Sequence, residues 1–80
     1  MKNLKYLNLG MNPIKVFPRE ILELKNLENI NLALTEIHDI PSEILDVKNL
    51  KVLDLKHCSN INLRNTIFQR LKDKGVKVIC

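Results

Sequence analysis

The stretch Lys48-Asn49-Leu50-Lys51-Val52-Leu53-Asp54-Leu55 decides how this chain folds. It has two earlier copies, Lys25-Asn26-Leu27-Glu28-Asn29-Ile30-Asn31-Leu32 and Lys2-Asn3-Leu4-Lys5-Tyr6-Leu7-Asn8-Leu9, and the offset from Lys2 to Lys25 is the same as that from Lys25 to Lys48. Within each copy Leu-x-Leu alternates with period two. Leu53 and Leu55 therefore share one side of a short strand and Asp54 takes the other. The pattern predicts strands over about residues 6–8, 29–31, 52–54 and 76–79. Strands repeating in the same sense must be parallel, and a parallel pair needs a crossover of a dozen or more residues, which each repeat supplies.

Outward from this stretch the same offset aligns most of the chain. Met1, Leu24 and Val47 correspond, as do Leu4, Leu27 and Leu50. So do Leu7, Ile30, Leu53 and Val76, then Leu9, Leu32, Leu55 and Val78. Asn12, Thr35 and Cys58 follow, then Ile14 and Ile37, then Phe17, Ile40 and Leu63. Pro18 and Pro41 suit the first turn of a short helix, where a missing N–H costs nothing. Ile21 with Leu24, and Ile44 with Val47, then point inward. At Asn12 the chain leaves the strand, and a buried amide there is expected to satisfy the backbone of the turn, with Thr35 and Cys58 as weaker substitutes.

The third copy departs from the pattern. Ile61 falls one position late, and Arg64 stands where the earlier copies have Pro. Leu63, Ile67 and Leu71 recur every four residues, which predicts an amphipathic helix over about 64–73 with Asn62 or Asn65 as its cap. Gly75 suits its termination. The fourth strand then resumes with Val76 and Val78 in phase with Leu53 and Leu55.

The pattern Leu4-x-x-Leu7-x-Leu9-x-x-Asn12-x-Ile14-x-x-Phe17-Pro18, repeated from Leu27 to Pro41, resembles the leucine-rich repeat family, in its intracellular variant with Pro-x-Glu-Ile after the bend. The resemblance covers essentially the whole chain. It implies an α/β fold: a right-handed solenoid with a short curved parallel β-sheet and short helices on the convex side. The expected organisation is a single domain, 1–80, of repeats at about 1–23, 24–46 and 47–69 with a partial one at 70–80. No capping element is evident. The chain therefore reads either as a segment of a longer array or as one whose ends self-associate, leaving Leu4, Leu7, Leu9 and the edge backbone exposed at one end.

Composition narrows the function. Apolar content is 45%, with Tyr6, Phe17 and Phe68 as the aromatic residues, so the core is aliphatic. The net charge of +4 sits in residues 63–80, where five Lys/Arg meet Asp73 alone. No aromatic alternates with those cations as a nucleic-acid stacking platform requires, so they read as a solvated helix face. There is no signal peptide, no run long enough to span a bilayer and no Asn-x-Ser/Thr sequon. Two cysteines, Cys58 and Cys80, are too few for a disulfide framework. These features place the chain in the cytoplasm, without a nucleic-acid or membrane partner.

Catalysis finds no support in the sequence. Gly10 and Gly75 make no phosphate loop, and Glu20 and Glu43 recur once per repeat near helix starts, where a carboxylate suits the positive helix end. His57, Cys58 and Cys80 lack the converging geometry of a metal site, and His38 lies on a separate bend. No cofactor is expected. What remains is the open sheet face. Four rows are predicted across it: Tyr6, Asn29, Val52, Gly75; Asn8, Asn31, Asp54, Lys77; Gly10, Ala33, Lys56, Ile79; and Met11, Leu34, His57, Cys80. The resemblance implies a non-enzymatic module that binds a protein through this concave face. Its candidate contact residues are Tyr6, Asn8, Asn29, Asn31, Val52, Asp54, Lys56 and Lys77, with Tyr6 as the strongest anchor. The alternative is a structural segment or accessory repeat domain of a larger signalling protein or enzyme.

Overall fold

The computed structural model describes residues 3–58, 60–62 and 66–80. Within them the chain is an α/β fold built on a four-stranded, all-parallel sheet: β1 Tyr6–Asn8, β2 Asn29–Asn31, β3 Val52–Asp54 and β4 Lys77–Ile79, in the order β1-β2-β3-β4. Short 3₁₀ helices, Arg19–Glu23 and Ser42–Asp46, return the chain between the first three strands, and an α-helix, α1 Thr66–Asp73, returns it between β3 and β4. Helices and sheet form two layers over one largely aliphatic core that also takes in Phe17 and Phe68, and the whole measures 30 × 27 × 17 Å.

The first two crossovers share one hydrogen-bond device. Ile21 N–H donates to the Pro18 carbonyl (3.0 Å), Leu24 N–H to Ile21 (3.0 Å) and Leu27 N–H to Leu24 (3.2 Å). The next repeat does the same from Ile44 to Pro41 (3.1 Å), Val47 to Ile44 (3.2 Å) and Leu50 to Val47 (3.2 Å). A 3₁₀ turn has three residues, so every third side chain lines up on one side. The donors Ile21, Leu27, Ile44, Val47 and Leu50 are buried, and Leu24 is half-buried. Pro18 and Pro41 stand one position earlier than the sequence suggests. Both have extended backbone, with ψ of 100° and 146°, and precede the helix as its cap, each lending its carbonyl to the first bond.

The third crossover is built differently. Ile67, Phe68 and Leu71 of α1 are buried, while Arg70 and Lys72 are exposed in its last turn, where cations suit the helix C-terminus. The helix ends in a Schellman arrangement: Val76 N–H donates to Leu71 (2.9 Å) and Gly75 N–H to Lys72 (3.0 Å), with buried Leu71 and Val76 bracketing Gly75 at φ +89°. Leu63, Arg64 and Asn65 lie outside the described residues.

Register corrects the reading of the last strand. Leu7 pairs with Ile30 and Ile30 with Leu53, both at the constant offset of the repeat, but Leu53 pairs with Val78, two positions beyond Val76, where that offset falls. Val76 is therefore not the counterpart of Leu53. The physical reason lies in the crossover. An α-helix rises about 1.5 Å per residue against about 2.0 Å for a 3₁₀ helix, so it uses more chain to cover the same span. At the N-terminal side Leu4, Leu7 and Leu9 pack against the core and are half-buried, rather than exposed as the sequence suggests. Among the described residues no helix is long and apolar enough to cross a membrane.

Leu53 sits at the centre of this packing with 0% exposure. Leu53→Ala is expected to cost about 2–5 kcal/mol, enough to unfold much of so small a chain. Urea unfolding followed by circular dichroism measures it, and a midpoint equal to that of the parent would remove Leu53 from the core.

Candidate functional site

The sheet face opposite the core carries the candidate residues, and pairing arranges them in rows. Tyr6, Asn29, Val52 and Lys77 form one row; Asn8, Asn31, Asp54 and Ile79 form the next. The fourth-strand members of both rows differ from the sequence-based ones, since Lys77 stands beside Val52 and Ile79 beside Asp54. Gly75 lies in the helix exit instead. All eight candidates remain on or beside this face: seven are strand residues, and Lys56 follows β3. Tyr6 is 68% exposed at the edge of the sheet.

The second row has a structural task that the sequence reading missed. Asn8 Oδ1 accepts the Gly10 N–H (2.9 Å), Asn31 Oδ1 accepts that of Ala33 (2.9 Å) and Asp54 Oδ1 accepts that of Lys56 (3.0 Å). Each side chain thus braces the backbone two positions on, as Asn and Asp do in turns. One oxygen of each is committed. The amide groups of Asn8 and Asn31 and the second oxygen of Asp54 complete the side chains' hydrogen-bonding capacity. The signal in the sequence was the recurrence of Asn, Asn and Asp three positions before Met11, Leu34 and His57.

Those three residues all adopt the left-handed conformation, at φ 63°, 61° and 61°. For an L-residue this region costs roughly 1–2 kcal/mol, and glycine or asparagine usually fills it. Here two of the three are large apolar side chains facing solvent, Met11 at 80% and Leu34 at 50% exposure. Backbone bonds tie the turns to one another, Met11 N–H to the Ala33 carbonyl (2.9 Å) and Leu34 N–H to that of Lys56 (2.9 Å). The result is a further row beside the face.

Beneath the turns, Thr35 Oγ1 donates to the Leu32 carbonyl (2.8 Å) and lies 3.4 Å from Cys58 Sγ, which itself donates to Leu32 (2.9 Å). Asn12 Nδ2 bonds the carbonyls of Leu9 (2.9 Å) and Gly10 (3.1 Å), but Asn12 is exposed. Its expected burial fails because it lies in the turn after β1, the edge strand of the sheet. Cys58 is buried and Cys80 exposed, both as free thiols. Among the described residues no group of three or more His, Cys, Asp and Glu is placed to hold a metal ion.

Ion pairs lie away from the rows: Lys51 with Glu28 (3.5 Å) at the strand entrances, and Arg19 with Glu43 between the two 3₁₀ helices. The Glu43 carboxyl is held below its ordinary value, first by a backbone N–H and then by Arg19. No protein-family model matches the chain, and no curated protein matches its sequence.

Two substitutions separate bracing from strain. Asn31→Ala leaves the Ala33 N–H without its acceptor and is expected to lower stability by about 1 kcal/mol, whereas Asn31→Asp keeps the bond and most of the stability. Chemical denaturation reads the difference, and equal losses would remove the bracing role. Met11→Gly relieves a left-handed residue that buries almost nothing, so it should raise stability by about 0.5–1 kcal/mol after the entropic penalty of glycine. A lower midpoint would show that the Met11 side chain holds the fold.

Proposed function

We propose that this chain is a short leucine-rich repeat solenoid of the intracellular type, acting in the cytoplasm as a non-enzymatic module that binds a protein partner. The observation that carries the proposal is the registered row structure of the open face. Parallel pairing at the constant repeat offset sets Tyr6, Asn29 and Val52 side by side, then Asn8, Asn31 and Asp54. On such a solenoid this face is the concave one.

The chemistry suits recognition of a polypeptide. Tyr6 supplies an aromatic anchor, Val52 a small apolar centre, and the Asn8 and Asn31 amides supply donors whose oxygens are already fixed. Lys56 and Lys77 add positive charge, and Asp54 a carboxylate. Met11 and Leu34 extend the apolar surface beyond the sheet. A chain of this size reaches the roughly 800 Å² per partner of a specific interface only with those flanking residues included.

The apolar surface that half-buried Leu4, Leu7 and Leu9 still leave open supports the alternative reading, a structural or accessory repeat segment of a larger signalling protein or enzyme. In that reading a further coil, or a second copy of the chain, covers the β1 side.

Affinity capture tests the first reading with variants that leave the bracing side chains intact. Tyr6→Ala with Val52→Lys alters the face without touching Asn8, Asn31 or Asp54. We expect loss of at least tenfold in partner capture, while Arg19→Ala with Glu20→Ala, on the helical side, captures as the parent does. The inverse pattern would move the interface to the helices.

A further inference from the structure

The Lys-Asn pair that recurs in the repeated stretch lies on neither the core nor the sheet face. Lys25-Asn26 sits between Leu24 and Leu27, and Lys48-Asn49 between Val47 and Leu50, whose N–H···O bonds close each turn. The apolar residues face inward, so both lysines are turned out to solvent at the edge where the strands begin. Lys25 and Lys48 take the same position in successive crossovers, four residues before β2 and β3. Neither lysine has an ion pair among the described residues.

The third crossover brings another lysine to the same place. The Lys74 ammonium donates to the Leu45 carbonyl at the end of the second 3₁₀ helix. That bond uses one of its three donors and leaves two for a ligand. Lys25, Lys48 and Lys74 thereby line one cavity of about 680 Å³, together with Asn26 and Asn49. Among the described residues Asp46 is its single carboxylate. Asp73, the nearest acidic residue in sequence to Lys74, accepts a bond from Gln69 Nε2 (3.1 Å) and does not line it.

We propose that this cavity is an anion site for a small soluble ligand bearing two or more phosphoryl groups. Three ammonium groups against one carboxylate leave an uncompensated charge of two, which matches a compact polyanion. One lysine bonded to a carbonyl and two from equivalent positions line the space, so a ligand with two phosphoryl groups bridges them. Ammonium–phosphate bonds are charge-assisted and are stronger than neutral ones. The volume suits a diphosphate-bearing small molecule better than a single phosphate. The site is separate from the sheet face and stands whether or not that face binds a protein.

The test is a titration of the isotopically labelled 80-residue chain with sodium pyrophosphate at constant ionic strength, read by amide chemical shifts. Saturable shifts are expected at Lys25, Asn26, Lys48, Asn49 and Lys74, with inorganic phosphate binding more weakly. Lys25→Gln with Lys48→Gln should weaken pyrophosphate roughly tenfold, while Lys5→Gln with Lys15→Gln, which removes as much charge elsewhere, should not. All four lysines are exposed, so both variants should fold, and the parent titration decides by itself if one does not. The proposal is overturned by non-saturating shifts, by shifts confined to Arg70 and Lys72 of α1, or by equal weakening in the two variants. Capture on vesicles containing phosphatidic acid, without any response to free pyrophosphate, would also overturn it in favour of a lipid surface.

Discussion

Everything in this chain depends on parallel strands meeting in register, and register depends on crossover length. A slip of one residue would turn Leu7, Ile30, Leu53 and Val78 outward and bring Tyr6, Asn29, Val52 and Lys77 into the core. The first two crossovers avoid this with identical lengths and with hydrogen bonds that fall on every third, apolar residue. The third is longer, but by two positions. An even insertion preserves which face each side chain takes, so an α-helix replaces a 3₁₀ turn without exchanging the inside of the sheet for the outside.

The same parity explains what could be read from the sequence and what could not. The first three strands follow from Leu-x-Leu and its Ile variant, and the structure places them at the expected residues. The body of the third helix follows from Ile67 and Leu71. The register of β4 did not follow. Val76 and Val78 are both apolar and two apart, so pairing either one with Leu53 satisfies the alternation. The Schellman exit decides between them: it takes Val76 as the hydrophobic residue after Gly75, and Val78 is left for the sheet. That choice belongs to the end of the helix, not to strand periodicity.

Local polarity was harder to read than packing. Asn8, Asn31 and Asp54 look like free surface groups, because their positions alternate with core residues. Their oxygens instead hold the turns that follow. The neutral bonds from Asn8 and Asn31 contribute about 0.5–1.5 kcal/mol each and the charge-assisted one from Asp54 somewhat more, close to the roughly 1–2 kcal/mol that a left-handed Met, Leu or His costs. The brace therefore offsets most of the strain beside it. Nothing in Met11, Leu34 or His57 announces that conformation, since Gly or Asn would be the usual sign of it. The open face is thus partly scaffold: changing its central amides also disturbs the turns, whereas exposed Tyr6 can vary at little structural cost.

This division gives the repeated Lys-Asn-Leu a different meaning from the one its regularity suggests. Leu27 and Leu50 are fixed by the core and by the bonds to Leu24 and Val47. A turn closed between two inward residues forces the pair between them outward, whatever that pair is. Geometry therefore explains the position of Lys25 and Lys48 but not their charge. Helix C-termini favour cations, which accounts for one lysine at each exit. The same preference draws in Lys74, whose ammonium bonds the Leu45 carbonyl at the end of the second 3₁₀ helix and so reaches the same hollow. Three separate crossovers thus bring three ammonium groups to one hollow, beside Asp46 as the single lining carboxylate among the described residues, an excess of positive charge that an anion neutralises.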